Sequence, residues 1–241
     1  MTIILKAQNI NKKYGRTPIL NGISLNVEEG QFIAIMGNSG AGKSTLLNCI
    51  SGMDQPDSGK ILLLDNELSR MSNRDLASFR AKNMGFIFQD FRLLEDMSLL
   101  DNLLVRGYLK QSKSDALKQA NDLLDKVQLL NVKNHYPSQL SGGQKQRGAI
   151  ARALMNNPEI VFADEPTGAL NSAAGKQVME TLKFVNVELK TTVLMVTHDV
   201  RSASYCDQII YLSDGKILGN LTLDYSKNIS DINAFLSQKG W

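Results

Sequence analysis

The chain has 241 residues, of which 43% are hydrophobic and 21% are charged, and its formal net charge at pH 7 is +3. That length suffices for one large domain or for a core with an inserted subdomain. No dense block of Lys and Arg stands out, so charge gives no support to nucleic-acid binding, and we expect no nucleic acid among the partners. No apolar run approaches the roughly 18–20 residues that cross a bilayer, so a role at a membrane would require a partner protein.

The cysteines and the first residues indicate the compartment. Cys49 and Cys206 lie far apart, each among apolar or small residues of a predicted helix, and neither has metal-ligand spacing. We interpret them as buried thiols in a reducing compartment. The first residues also lack the charged and apolar regions of a signal peptide. We therefore expect a cytoplasmic protein.

The first third of the chain is predicted to be rich in β-strands. Short apolar or alternating runs occupy residues 3–10, 19–27 and 32–36, separated by turn residues. Further strands are predicted at 60–64 and 84–88, with a helix at 74–82 between them. The strand at 32–36 is apolar throughout, which is typical of a strand buried on both faces.

A phosphate-binding loop follows that buried strand and leads into a predicted helix. The pattern G-x-x-x-x-G-K-[ST] lets backbone N–H groups turn towards a polyphosphate, which also faces the positive end of the helix dipole. Lys43 supplies a cation for the β- and γ-phosphates, and the Ser44 hydroxyl can bind Mg²⁺. The alternative is a glycine-rich turn that merely ends in Lys-Ser. The predicted loop consists of Gly37, Asn38, Ser39, Gly40, Ala41, Gly42, Lys43, Ser44 and Thr45.

The middle of the chain is predicted to be helical. Residues 99–109 and 115–130 carry apolar side chains at helical spacing, with Ser114 as the expected N-cap of the second helix. No strand pattern appears from about residue 91 until Glu159. We therefore predict a helical subdomain at about residues 91–156, inserted into a core formed by about residues 1–90 and 157–241.

Strands and helices alternate again in the last third. Strands are predicted at residues 160–163, 192–196 and 208–212, a hairpin turn at Asp214-Gly215, and a short amphipathic helix at 230–238. Strands that alternate with helices around a phosphate loop indicate a mainly parallel sheet covered on both faces. The fold class is therefore α/β, a P-loop NTPase core with an antiparallel N-terminal β-region and an inserted helical subdomain.

Two carboxylates follow the strand at 160–163. Where the chain turns at the end of a strand, Asp164 and Glu165 can both face the phosphate site. We expect Asp164 to hold Mg²⁺, directly or through water, and Glu165 to take a proton from the attacking water. The alternative is an exposed acidic turn capped by Pro166.

A second predicted anion site lies at residues 140–147. Ser141 and the amides of Gly142 and Gly143 stand at the N-terminus of a predicted helix, where they can bind a γ-phosphate together with Gln144. A glycine-rich helix cap is the alternative. The whole segment, Leu-Ser-Gly-Gly-Gln-Lys-Gln-Arg, resembles the signature motif of the ATP-binding-cassette (ABC) ATPases.

That resemblance extends from about residue 3 to about residue 218. It implies that Tyr14 stacks on adenine, that Gln89 touches Mg²⁺ and water, and that His198 contacts the γ-phosphate. It also implies ATP and Mg²⁺ as cofactors and a head-to-tail homodimer, in which Ser141, Gly142, Gly143 and Gln144 contact the nucleotide held by the other subunit. His135 matches no motif.

The chain is most similar to the small cassettes that serve macrolide export, lipoprotein release and bacitracin resistance. Residues 89–94 and 166–172 resemble the peptide-antibiotic (bacitracin and lantibiotic) branch, which implies an integral membrane permease, often beside a histidine-kinase sensor, and a peripheral position at the cytoplasmic face of the membrane. Lipoprotein release and macrolide efflux are the alternatives within the family. A soluble ABC protein without a transport role and a non-catalytic ATP sensor are the alternatives outside transport. A P-loop kinase or GTPase is disfavoured, because the segment 140–147 would have no function in either class of protein.

Two residues depart from the family pattern. Asn171 occupies a position where most members carry aspartate, so coupling between the two sites of a dimer is expected to differ. Gly148 lies inside the helix after the signature, where a glycine costs about 1 kcal/mol relative to alanine. Close helix packing is our interpretation of it. Phe91, Leu93 and Leu94 are either contacts for a permease helix or part of the subdomain core.

Overall fold

The computed structural model describes residues 2–108, 111–224 and 229–241. It contains two β-sheets. A four-stranded antiparallel sheet has the order β2-β1-β4-β5, formed by β1 (Ile3–Tyr14), β2 (Thr17–Glu28), β4 (Ser58–Leu63) and β5 (Asn66–Glu67). A six-stranded sheet has the order β10-β9-β3-β8-β7-β6, formed by β3 (Phe32–Met36), β6 (Met84–Ile87), β7 (Ile160–Asp164), β8 (Thr192–Val196), β9 (Gln208–Ser213) and β10 (Lys216–Thr222).

The six-stranded sheet is parallel from β9 to β6, and only β10 runs antiparallel, to β9. Its strands are buried on both faces because alternate side chains enter two separate cores. Phe32 and Ala34 belong to one core, whereas Ile33 and Ile35 belong to the other. The carboxyl ends of β3, β6 and β7 therefore meet at one edge of the sheet, which is where an open α/β sheet binds its ligands.

Eight α-helices cover the sheets in the part of the chain that the structure describes. They are α1 (Lys43–Ile50), α2 (Asn73–Asn83), α3 (Leu99–Gly107), α4 (Lys113–Lys126), α5 (Gly142–Leu154), α6 (Ser172–Glu188), α7 (Val200–Ala203) and α8 (Ile229–Gln238). Helices α3, α4 and α5 follow one another between β6 and β7 and share a buried apolar core. None of the helices within the described ranges combines the length and the apolar character that a membrane crossing needs.

Three local predictions were wrong. The helix predicted at 115–130 was too long, since α4 ends at Lys126 and residues 130–132 form a separate 3-10 turn. The N-cap of α4 is Ser112, whose hydroxyl oxygen accepts from the Asp115 amide at 3.2 Å, and not Ser114. The apolar positions start only at Ala116, so their periodicity placed the start of the helix too late. Cys206 is not helical, since α7 ends at Ala203, although its thiol is buried as expected. Residue 109, predicted as the end of a helix, lies outside the described residues.

Packing separates three of the residues whose role the sequence left open. Leu93 is buried in the core, whereas Leu94 is 47% exposed. Gly148 faces α3, because a Cβ atom there would lie 2.6 Å from Leu99 Cδ1. Close helix packing therefore accounts for this glycine.

Candidate functional site

The predicted phosphate loop connects β3 to α1 in a tight turn. Gly37 has no room for a side chain, since a Cβ atom would lie 2.1 Å from the Leu212 carbonyl oxygen. Gly42, the N-cap of α1, has φ +99°, a conformation that favours glycine. Because the first N–H groups of a helix lack intrahelical partners, the loop and α1 present donors towards an anion.

Lys43 is folded back onto this loop. Its Nζ donates to the carbonyl oxygens of Gly37 at 2.8 Å and Asn38 at 3.0 Å, and the residue is 9% exposed. Burial lowers the pKa of Lys43, and the nearby carboxylates of Glu165 and Asp164 partly restore it. A polyphosphate in the loop would supply the negative charge that favours the protonated lysine.

Ser44 and Asp164 form the next part of the site. The Ser44 hydroxyl donates to Asp164 Oδ1 at 2.9 Å. Burial raises the pKa of Asp164, and the Ser44 hydrogen bond opposes that increase. A hydroxyl and a carboxylate are hard oxygen donors of the kind that Mg²⁺ takes, usually together with phosphate oxygens and water. Within the described ranges no cluster of three or more His, Cys, Asp or Glu side chains has metal-site geometry, so a cation here would complete its shell from the substrate and solvent.

Glu165 turns back towards the same site. Its φ is +48°, in the left-handed region, and its amide donates to the Val196 carbonyl at 3.0 Å. Glu165 Oε1 lies 2.9 Å from His198 Nδ1. The other carboxylate oxygen, Oε2, is buried and has no hydrogen-bond partner among the described residues. The turn thus leaves Glu165 with one carboxylate oxygen at hydrogen-bond distance from His198 and the other without a hydrogen bond among the described residues.

Gln89 lies against this turn. It follows β6, and its Nε2 would be 3.0 Å from a Cβ atom at Gly168, whose amide donates to the Glu165 carbonyl. The missing side chain at Gly168 therefore lets the Gln89 amide approach the Glu165 turn.

Tyr14 stands at the tip of the β1–β2 hairpin and is 51% exposed. The hairpin approaches the phosphate loop through Ile19, whose carbonyl oxygen would lie 2.9 Å from a Cβ atom at Gly42. The ring is therefore available for a flat ligand.

The signature residues cap α5. Ser141 is the N-cap and accepts from the Gln144 amide at 3.3 Å, while Gln144 Oε1 accepts from the Ser141 amide at 2.8 Å. Gly142 and Gly143 form the first turn, where a Cβ atom at Gly143 would approach Ala174 at the start of α6. This reciprocal capping box satisfies the amides of Ser141 and Gln144, while the amides of Gly142 and Gly143 belong to the first turn, which lacks intrahelical acceptors.

The family assignment follows from sequence comparison. The model of a family described as "ABC transporter" matches residues 20–168. This chain belongs to the ABC transporter family. Its relatives include the bacitracin export ATP-binding protein BceA of Halalkalibacterium halodurans, 41% identical over 90% of this chain and 88% of that protein. The lipoprotein-releasing system ATP-binding protein LolD of Wigglesworthia glossinidia brevipalpis is 43% identical over 94% of this chain and 98% of that protein.

Solved structures agree with this assignment. A dimeric structure of MJ0796, described as a bacterial ABC transporter cassette, matches with a TM-score of 0.84 and 40% identity over 91% of this chain and 99% of that one. A dimeric post-hydrolysis state of MJ0796 bound to ADP and Pi matches with a TM-score of 0.83 and 39% identity. The predicted α/β fold class and the predicted identity as an ATP-hydrolysing subunit of the ABC transporter class are confirmed.

One buried residue near the site was missed by sequence reasoning. Gln146 on α5 is fully buried, and its Nε2 donates to the Pro166 carbonyl at 2.7 Å and to the Phe88 carbonyl at 3.3 Å. Its signal was available, since Gln146 shares the apolar face of α5 with Ala149 and Ile150. A polar residue on an apolar helix face needs a partner, which here is the backbone beside two site residues.

Proposed function

We propose that this chain works as a homodimer that binds two ATP molecules in composite sites and drives an integral membrane permease. In each site one subunit would supply the phosphate loop, Asp164 and Glu165, and the other would supply the N-terminus of α5. The observation that supports the proposal best is the Glu165 carboxylate, which contacts His198 while keeping one buried oxygen without a partner.

The phosphate loop would hold the triphosphate through its backbone amides and Lys43. The side chain of Lys43 would leave the carbonyls of Gly37 and Asn38 and turn to the β- and γ-phosphates. Tyr14 would stack on adenine, and the first turn of α5 from the second subunit would bind the γ-phosphate through Ser141 and its neighbouring amides. Positioning and charge stabilisation are the main sources of catalysis in phosphoryl transfer.

Glu165 would act as the general base. Its free Oε2 would accept a proton from the water that attacks the γ-phosphorus, while the Nδ1–H of His198 holds Oε1 in place. Gln89, next to the Glu165 turn, would orient that water. A Mg²⁺ ion held by Ser44, Asp164 and Gln89 would, when bound, neutralise charge on the phosphate oxygens.

Complementation between two inactive variants tests the composite site. A Lys43→Ala subunit keeps its α5 N-terminus, and a Gly143→Asp subunit keeps its phosphate loop. Each variant alone should be inactive. When the two are mixed, half of the dimers should be mixed dimers with one intact site, which gives about one quarter of wild-type turnover if subunits pair at random and sites work independently. No recovery of phosphate release in the mixture would contradict the head-to-tail arrangement.

We further propose a peptide-antibiotic role for the complete transporter. The bacitracin export relative and the resemblance of residues 89–94 and 166–172 to that branch support it. The permease would hold the chain at the cytoplasmic face of the membrane, the helical subdomain at about residues 91–156 would contact it, and a histidine-kinase sensor would accompany it.

Co-purification from native membranes tests this role. Recovery of a permease, with loss of bacitracin or lantibiotic resistance when the chain carries Glu165→Gln, is the expected result. Recovery of ribosomes or DNA without a membrane protein would contradict it, and a permease whose loss affects lipoprotein release or macrolide export would assign one of the other family roles.

A further inference from the structure

Asp54 connects the two segments that would hold the base and the phosphates of ATP. It follows α1, the helix of the phosphate loop, and its amide donates to the Asn48 carbonyl of that helix at 3.1 Å. Its carboxylate reaches the β1–β2 hairpin, where Oδ2 accepts from the Tyr14 hydroxyl at 2.7 Å. Asp54 and Tyr14 are 40 positions apart in the sequence, so only folding brings them into contact.

Lys12 completes the connection. Its Nζ donates to Asp54 Oδ1 and to the Gln55 carbonyl, both at 2.7 Å, and its side chain is only 10% exposed. The same ammonium lies 5.2 Å from the centroid of the Tyr14 ring, on one of its faces. Burial raises the pKa of Asp54, but the hydrogen bonds from Lys12 and Tyr14 outweigh that effect and hold the pKa below its ordinary value. Asp54 is therefore ionised when it accepts from both partners.

We infer that Asp54 is a positioning residue for adenine, because it holds the Tyr14 ring in place with respect to the phosphate loop. Lys12 would cover one face of the ring and leave the opposite face for the base. This inference rests on the proposed role of Tyr14. It adds Asp54 and Lys12 to the nucleotide site, although neither would touch the nucleotide.

The expected effect is confined to the base. A tyrosine that is half exposed must lose rotational freedom when a base stacks on it. The hydroxyl bond to Asp54 imposes that restriction before ligand binding, so its removal should weaken binding of an adenine nucleotide but not of phosphate alone. We expect a loss of about three- to tenfold, equivalent to ~0.7–1.4 kcal/mol.

Calorimetry with ADP and with inorganic diphosphate tests the inference on the full chain. ADP avoids turnover, and diphosphate has no base. The variants are Tyr14→Ala, Tyr14→Phe, Asp54→Ala and the Tyr14→Phe/Asp54→Ala double variant, with thermal unfolding of each as a check on folding. Asp57→Ala is the matched control, because Asp57 accepts from the Lys13 amide at 2.7 Å in the same turn without contacting Tyr14.

Tyr14→Phe and Asp54→Ala should each weaken ADP binding about three- to tenfold and leave diphosphate binding unchanged. The double variant should lose no more ADP affinity than either single variant. Asp57→Ala should bind both ligands like wild type. If Tyr14→Ala weakens ADP binding but Tyr14→Phe and Asp54→Ala do not, the positioning role is wrong and the stacking role stands. If Tyr14→Ala leaves ADP binding unchanged, the stacking role is wrong and this inference falls with it. Equal losses for ADP and diphosphate in Asp54→Ala would show a structural effect on α1 and would also overturn the inference.

Discussion

Replacement of Glu165 by glutamine should separate nucleotide binding from turnover. Glutamine has the size of glutamate, and its side-chain oxygen can still accept from His198 Nδ1, which lies 2.9 Å from Glu165 Oε1. What changes is the second position, since the buried Oε2 becomes an amide nitrogen that cannot accept a proton. A positioned general base contributes about 10²- to 10⁴-fold to rate, so kcat should fall by about that factor.

ATP binding should persist in the same variant. Burial is the main reason why the pKa of Asp164 is raised, and the Glu165 carboxylate adds to the increase because the two carboxylates repel each other in the nucleotide-free site. Removal of one negative charge relieves that repulsion and also reduces repulsion of the γ-phosphate. ATP affinity should therefore equal or exceed that of wild type, and the ATP-bound dimer should accumulate.

Steady-state phosphate release at saturating ATP measures the first effect, and calorimetry with gel filtration in ATP measures the second. Glu159→Gln is the matched control, since this exposed glutamate precedes the same strand, β7, at its opposite end. Turnover within about twofold of wild type in Glu165→Gln, far from the loss expected for a base, would refute the assignment and leave His198 as the candidate.

Three further changes probe the phosphate loop, the carboxylate and the helix packing. Lys43→Ala should weaken ATP binding by more than about tenfold (~1.4 kcal/mol) in calorimetry, with Lys126→Ala as a control, and unchanged affinity would argue against the phosphate loop. Burial raises the pKa of Asp164 in the folded state, so the free energy of unfolding falls as pH rises through that pKa and the carboxyl group ionises. Asp164→Asn should therefore raise the Tm of the nucleotide-free protein at pH 7 and raise it less in acid. An equal or lower Tm at pH 7 would contradict this. Gly148→Ala should lower the Tm. A Cβ atom 2.6 Å from Leu99 Cδ1 overpacks the core, which destabilises the fold by about 1–3 kcal/mol, whereas the better helix propensity of alanine stabilises it by about 1 kcal/mol. A higher Tm would show that the Leu99 side chain moves aside at little cost.

The buried strands of the parallel sheet were predictable because their physical requirement is local. The strands at 32–36 and 192–196 were predicted with the bounds that the structure gives, since a strand buried on both faces must be apolar throughout. The α4 cap was also open to local reasoning, because Ser112 is followed three residues later by Asp115, whose amide it caps.

Contacts between distant segments were not predictable in the same way. The Tyr14–Asp54 hydrogen bond joins residues 40 positions apart, and Gln146 donates to a carbonyl 58 positions away. The sequence does not show which segment supplies the partner. The apolar face of α5 indicates that Gln146 is buried and needs a hydrogen-bond partner, but no local pattern identifies the carbonyls that it bonds. Only the topology that places α1 beside the hairpin, and α5 beside β6, brings these groups together.

The helix that carries the signature also holds the backbone around the candidate catalytic residues. The side-chain amide of Gln146 donates to the carbonyls of Phe88 and Pro166. Phe88 immediately precedes Gln89, and Pro166 immediately follows Glu165. One buried amide on α5 therefore joins both segments to the same helix.

Arg152, near the other end of α5, also donates hydrogen bonds to backbone carbonyls of the segment after Gln89. Its guanidinium donates to the Phe91 carbonyl at 3.0 Å and also to that of Arg92. Phe91 and Arg92 have φ values of +62° and +47°, and Glu165 has +48°, conformations that cost roughly 1–2 kcal/mol each for residues with a side chain. These conformations persist because the surrounding contacts hold them. In the proposed dimer, the N-terminus of α5 contacts the nucleotide held by the other subunit. Any displacement of α5 would therefore move the backbone at Gln89 and Glu165. The geometry of one nucleotide site would then depend on the helix that contacts the other nucleotide site.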